Sequence, residues 1–227
     1  MSTATCPLTN DELSSLASLI CFASEAELLR LQQLLTPPPD PPQVARLRED
    51  PARIMTLAGM APDQWQTELL RSRFDRVLMC ASRQSGKSQL AAALALRTAI
   101  LDAPALVLLL SPSQRQSGEL FRDKVVRLFR ALGCPVPAVR ETALTIELAN
   151  GSRIVSLPGE SHTIVGYSGV SMLVIDEAAR VADDLYRAVR PMLAVSRGSL
   201  VCLSTPFGKR GFFFQEWPAS DRGGACA

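Results

Sequence analysis

Residues 76–103 constrain this chain more than any other stretch. A short apolar run, Arg76 to Ala81, gives way to a polar turn containing a glycine, and a helix-like pattern follows from Gln89 to Ala103. Apolar runs this short mark buried strands, so the segment reads strand, turn, helix, the opening unit of an α/β layer. The turn is Ala81-Ser82-Arg83-Gln84-Ser85-Gly86-Lys87-Ser88. Backbone N–H groups that converge in such a loop, at the start of a helix, form a cradle for an anion. Lys87 would there reach the β- and γ-phosphates of a nucleotide, and the Ser88 hydroxyl would hold Mg²⁺. The strict pattern asks for Gly where this chain has Ala81, and a bare Gly-Lys-Ser also opens ordinary helices. The strand before the loop and the helix after it are the context that favours phosphate.

The alternation continues downstream. Ala105–Leu110 is continuously apolar, the mark of a strand buried on both faces. Ser111 or Ser113 can cap the next helix, whose apolar face is Leu120, Phe121, Val125, Leu128 and Phe129 and which ends at Gly133. Ala143–Leu148 and Arg153–Leu157 flank Asn150-Gly151, a strong hairpin signal. A strand at Met172–Ile175, a helical stretch Ala182–Val195 interrupted by Pro191, and a last strand at Leu200–Leu203 complete the pattern. The expected fold is α/β, a doubly wound, mainly parallel sheet flanked by helices.

A second motif supports the first. Met172-Leu173-Val174-Ile175-Asp176-Glu177 is a buried strand ending in two acids. Asp176 at the strand's end can hold Mg²⁺ through water, while Glu177 can orient and deprotonate an attacking water as a general base. A strand running into an acidic helix cap gives the same letters. Loop and acid pair together, in this order, point to nucleotide hydrolysis.

Composition narrows the field. Apolar residues at 47% and charged ones at 20% fit a globular chain and not a disordered one. No apolar run approaches the roughly 18 residues that span a bilayer, and the start lacks the basic region of a secretion signal. With one histidine and six cysteines lacking any C-x-x-C pair, zinc-thiolate and Ser-His-Asp chemistry are poor fits.

The net charge of +2 hides an asymmetry. Residues 1–42 carry one base and five acids, whereas residues 61–140 carry twelve bases and six acids. Arg122, Lys124, Arg127 and Arg130 lie close along one expected helix, where they would meet nucleic-acid phosphates or form a solvated face. The run Pro37-Pro38-Pro39-Asp40-Pro41-Pro42 is a stiff, extended break. Before it, the capping boxes Thr9–Glu12 and Ser24–Glu27 mark two short helices, with Leu13, Leu16 and Ile20 on one face. That apolar stripe would pack on the main domain or bind a partner.

From about Asp50 to Trp217 the chain resembles the ATPase half of bacteriophage terminase large subunits, the motors that drive DNA into capsids. Pro62-Asp63-Gln64-Trp65-Gln66 resembles that family's P-D-x-W-Q segment, which implies that Gln66 reads adenine. A side-chain amide both donates and accepts, as the adenine edge requires. The Ser82-Arg83-Gln84-Ser85-Gly86-Lys87-Ser88 loop is typical of the family, and Arg83 within it would touch the γ-phosphate as an internal finger or point to solvent. The Ser111–Ser117 segment resembles one that couples nucleotide and DNA sites, and it also reads as a serine-rich helix cap. Leu203-Ser204-Thr205-Pro206 resembles the coupling motif, whose hydroxyls sense the γ-phosphate.

The resemblance therefore implies a P-loop NTPase core of the ASCE, RecA-like kind that uses ATP and Mg²⁺. Glu177, Lys87 and Arg83 would be catalytic. Gln66, Ser82, Arg83, Gln84, Ser85, Gly86, Lys87, Ser88, Ser204 and Thr205 would bind nucleotide, and Ser88 and Asp176 would bind metal. It implies double-stranded DNA, a small terminase subunit and a portal protein as partners, a homo-oligomeric ring when active, no membrane, and the cytoplasm of a bacterial host. Expected domains are a helical appendage with a Pro-rich linker (1–42), a P-loop ATPase domain (43–217) and a short unstructured tail (218–227).

Two departures stand out. Val165 replaces the arginine that in this family is a candidate trans-acting finger, and His162 beside it reads as a polar loop residue. After residue 217 the expected nuclease half is absent and no acid cluster follows, so the chain reads as a truncated, frameshifted or split large subunit without nuclease activity. A superfamily-2-like helicase or translocase ATPase, and a non-hydrolysing nucleotide-binding remnant, remain the alternatives at this stage.

Overall fold

The computed structural model describes residues 40–158 and 166–217. The two appendage helices, His162, Val165 and the tail 218–227 lie outside the described residues. Everything below belongs to the unit Pro41–Ala227. Three helices come first: α1 (Pro42–Glu49), α2 (Arg53–Leu57) and α3 (Gln64–Arg71). Pro42, read above as the end of the extended break, is the first residue of α1. A missing N–H costs nothing at that position, and the fixed φ suits the first helical turn.

Strand β1 (Arg76–Cys80) leads through the glycine loop into α4 (Lys87–Leu101). Strand β2 (Leu106–Ser111) follows, then α5 (Gln114–Glu119), a π-helical segment (Leu120–Val126) and α6 (Arg127–Ala131). Ser113, not Ser111, is the cap, accepting from the Gln116 N–H at 3.3 Å. Strands β3 (Ala138–Glu141), β4 (Thr145–Leu148) and β5 (Arg153–Pro158) form an antiparallel meander, with Asn150-Gly151 in the β4–β5 turn as expected. Strand β6 (Val170–Asp176), α7 (Asp183–Ser196), β7 (Ser199–Ser204) and α8 (Gly211–Gln215) end the described chain. Helix α7 runs through Pro191, which lies on its exposed side.

The seven strands form one sheet in the order β1-β7-β6-β2-β5-β4-β3. The pairs from β1 to β5 are parallel, and only the β3–β4–β5 end is antiparallel. The expected mainly parallel sheet is thus present, extended by an exposed edge. Helices cover both faces, as a parallel sheet requires. One core gathers Leu90, Leu94, Phe121 and Phe129 against Val107, Leu109, Val174 and Val201. The other packs Leu185, Val189 and Phe212 against Leu108, Leu173, Ile175 and Cys202. Alternate residues of β2 and β6 face opposite cores, so Leu106–Leu110 and Met172–Ile175 are continuously apolar. The carboxyl ends of β1, β7 and β6 lie side by side, and the phosphate loop, the acid pair and the Ser204-Thr205 pair are carried there.

Candidate nucleotide site

The phosphate loop leaves the end of β1 and is tied at once to its neighbour, the Ala81 N–H donating to the Ser204 carbonyl at 3.0 Å. Two left-handed residues, Gln84 (φ 63°) and Gly86 (φ 81°), turn the chain into α4. Gly86 is required twice over. Its φ disfavours any side chain, and a Cβ there would come within 2.5 Å of Gln66 Nε2. The N–H groups in the first turn of α4 have no intrahelical acceptor by geometry and open toward the loop. Lys87 is 6% exposed, and its ammonium donates to the carbonyls of Ala81, at 3.2 Å, and Ser82. The Ser85 hydroxyl is buried with no partner among the described residues. A loop with a buried cation, a left-handed glycine and an orphaned hydroxyl fits a phosphate chain.

The loop meets the acidic strand directly. Ser88 Oγ donates to Asp176 Oδ2 at 3.1 Å, while the other oxygen of Asp176 accepts the Glu177 N–H at 3.1 Å. Burial pushes the Asp176 carboxyl above the usual aspartate range, and the Ser88 hydrogen bond acts in the opposite direction. A hydroxyl and a carboxylate in contact are hard oxygen ligands of the kind Mg²⁺ takes when phosphates and water complete its shell. No group of three or more His, Cys, Asp or Glu side chains among the described residues could hold a metal by itself. The donor set therefore suits a metal that arrives with its nucleotide.

Glu177 occupies the left-handed region (φ 51°), a conformation that costs about 1–3 kcal/mol for a residue with a Cβ. Its carboxylate is held from two sides. Thr205 Oγ1 donates to Oε2 at 3.1 Å, and the Arg180 guanidinium lies 3.6 Å from the same oxygen while stacking 4.4 Å from the Phe207 ring centroid. Ser204 lies one residue back at the end of β7. Its hydroxyl accepts from the Ala179 N–H at 3.1 Å and donates to the Thr205 carbonyl at 2.9 Å. The loop, the acid pair and the Ser-Thr pair form one connected network across three adjacent strand ends.

These groups border a cavity of about 840 Å³. Of the residues predicted from sequence, Arg83, Gln84, Gly86, Lys87, Ser88, Glu177 and Thr205 line it, and Asp176 lines the adjoining recess. Ser82 is exposed at the loop's start, and Arg83 and Gln84 are exposed as well. Gln66 is 4% exposed and sits against the phosphate loop, not among the residues lining the cavity. Its carbonyl is engaged by the Asp63 N–H at 3.0 Å as half of the capping box of α3.

Two charged lining residues, Arg180 and Lys124, escaped the sequence reading as site residues. Arg180 follows Glu177 by three positions, a spacing that could have flagged it. Lys124 was grouped with the basic helix, yet it faces the cavity from the π-helical segment. Three basic residues near it are otherwise engaged. Arg115 is 3.7 Å from Glu119, Arg130 is 2.8 Å from Glu141, and Arg122 Nε donates to the Gly118 carbonyl at 3.4 Å. Residues 115–130 are thus not a uniform basic face.

A parallel sheet with a glycine loop opening a helix, and an acidic strand tied to that loop, define a P-loop NTPase fold. More narrowly, the chain belongs to the family described as "Terminase large subunit, T4likevirus-type, N-terminal", which matches residues 78–219. Among solved structures it is similar to the large terminase ATPase domain of Thermus phage P74-26, at 21% identity and a TM-score of 0.63, with 71% of each chain covered. It is also similar to the large terminase of bacteriophage HK97, at 18% identity and a TM-score of 0.57. That match covers 68% of this chain and 37% of the other. A large terminase from a thermophilic bacteriophage in complex with ADP matches at 14% identity and a TM-score of 0.51, covering 81% of this chain and 44% of that one. Identities this low show a shared fold. Comparison with the curated proteins gave no match.

Proposed function

We propose that this chain is a Mg²⁺-dependent ATPase whose hydrolysis powers movement of double-stranded DNA during phage packaging. The observation that carries the reading is the 3.1 Å hydrogen bond from Ser88 Oγ to Asp176 Oδ2, which joins the phosphate loop to the acidic strand. In this reading Ser88 and Asp176 hold the metal, which when bound would neutralise charge on the phosphates. Lys87 exchanges its two carbonyl acceptors for phosphate oxygens. Arg83, exposed at the cavity, adds a second cation, and Lys124 a third from the opposite wall.

Glu177 takes the proton of the attacking water. Its grip by Thr205 and Arg180 fixes the carboxylate's direction for that task. Ser204 and Thr205 join this base to the loop through Ala81, so a change at the phosphates is felt at the end of β7. Gln66 selects adenine through Nε2, the half of its amide left over by the capping box, which requires a small shift of the loop it leans on. The same reading takes residues 1–42 as an appendage, 43–217 as the ATPase unit and 218–227 as a tail, with a small terminase subunit, a portal and further copies in a ring as partners; membership of the terminase family supports it. The test is ATP turnover in the presence and absence of Mg²⁺ and of duplex DNA, with GTP as the competing substrate. Equal use of GTP and ATP would remove the role given to Gln66.

A further inference from the structure

The opposite end of the sheet carries charge that the nucleotide site does not use. At the amino ends of β1, β7 and β6 a cavity of about 460 Å³ is bordered by Arg73, Arg97 and Arg197. Arg97 lies on α4, ten residues from Lys87 and so about 15 Å along the helix from the phosphate loop. It is half-buried, and its printed hydrogen bond is from NH1 to the Ser72 carbonyl at 3.0 Å. Burial lowers its pKa from the usual arginine value, Asp102 opposes that shift and nearby Arg73 adds to it. Asp75 and Asp102 also border the cavity, yet among the described residues no carboxylate lies within ion-pair distance of Arg73, Arg97 or Arg197. Asp102 offsets only part of the cost of withdrawing the Arg97 guanidinium from water, and an anion placed between the arginines relieves more of it.

The mouth is built, not incidental. Arg197 is held in the left-handed conformation (φ 52°) as the C-cap of α7, and Ser196 Oγ donates to the Val170 carbonyl at 2.6 Å. Gly198 packs so tightly on β6 that a Cβ would run into the Val170 carbonyl. The positive charge does not stop at this cavity. A second one of about 470 Å³ shares Asp75, Arg197 and Gly198 and adds Arg76 and Arg190, the latter 3.4 Å from Glu216. A run of arginines across two adjoining cavities suits a polymer of phosphates better than a single ion.

We propose that Arg73, Arg97 and Arg197 form a phosphate pocket at the amino ends of the central strands that grips the backbone of a polynucleotide. This site is distinct from the nucleotide site and does not depend on ATP hydrolysis. Two of its arginines, Arg73 and Arg197, are exposed, so Arg73→Gln combined with Arg197→Gln removes charge without opening the core. Arg187→Gln, also exposed and outside both cavities, is the control for loss of charge alone.

Binding of a short fluorescent duplex DNA to the full chain, without nucleotide, is measured by anisotropy across a salt series. The double variant is expected to bind about tenfold more weakly, with a log–log salt slope shallower by about two. Arg187→Gln should stay within about twofold of the unaltered chain, in keeping with an exposed charge already paired to Asp184. The proposal is overturned if the double variant matches the control, or if the unaltered chain does not bind the duplex. It is also overturned if inorganic phosphate raises the melting temperature through these arginines while DNA binding is indifferent to them, since the pocket then takes free phosphate.

Discussion

Glu177 is the residue on which the hydrolytic reading turns, because its strained backbone and two partners, Thr205 and Arg180, hold one carboxylate oxygen beside the cavity. Glu177→Gln keeps the shape and removes only the base. Turnover should fall by about 10² to 10⁴, while nucleotide affinity, read by a fluorescent ATP analogue, changes little. Thr205→Val leaves the base but loosens its aim, so a smaller loss, on the order of tenfold in kcat, is expected with KM nearly constant. Asp176 and Ser88 were legible in the sequence because residue type and strand position define their chemistry. Arg180 was passed over: it stands three positions after Glu177, but that spacing is common between acids and bases and did not by itself single it out. The left-handed backbone of Glu177 was not legible, because it arises from tertiary contacts and not from local preference.

At the scale of elements, the strand–loop–helix unit of β1 and α4 was readable end to end, and so was the β4–β5 turn at Asn150-Gly151. Glycine and apolar periodicity act locally, and both survive in the fold. Strand β3 was missed because Ala138–Glu141 is exposed along its length, with Val139 at 71%, so no alternation betrays it. The π-helical segment was missed for a different reason. Its apolar positions read as one continuous helix, and local periodicity does not mark where a π turn begins.

Two predictions belong here. Gly86→Ala places a Cβ against Gln66 and strains a positive φ. It should lower stability by about 1–2 kcal/mol in denaturant titration and weaken nucleotide binding. The α1–α2 turn is pinned to α3 by a two-pronged pair, with Arg71 Nε and NH2 at 2.9 and 2.7 Å from the Asp50 oxygens. The side-chain hydrogen bonds from Arg71 hold the Asp50 carboxyl below its usual value of 3.8. The stability this confers is present above that value and is lost as pH falls through the depressed pKa. Asp50→Asn should therefore melt earlier than the unaltered chain at neutral pH, and the gap should close as the buffer is made more acid.

For the whole molecule, what the sequence could not convey was order in space. The last strand, β7, inserts between β1 and β6, which brings Ser204 and Thr205 between the phosphate loop and the acid pair. Strand order depends on how distant segments pack, and no local periodicity records it. The family's motifs supplied what periodicity lacked, by marking Ser204 and Thr205 before their neighbours were known. Helix α4 then spans the sheet from Lys87 at the nucleotide end to Arg97 at the arginine cavity, one rigid element shared by two sites.

The most direct test of the central claim is steady-state ATP hydrolysis by the full chain with Mg²⁺, set beside Lys87→Ala and a Mg²⁺-free control. The account predicts turnover by the unaltered chain that is abolished by either change. Turnover that survives Lys87→Ala, or that needs no divalent cation, would contradict it.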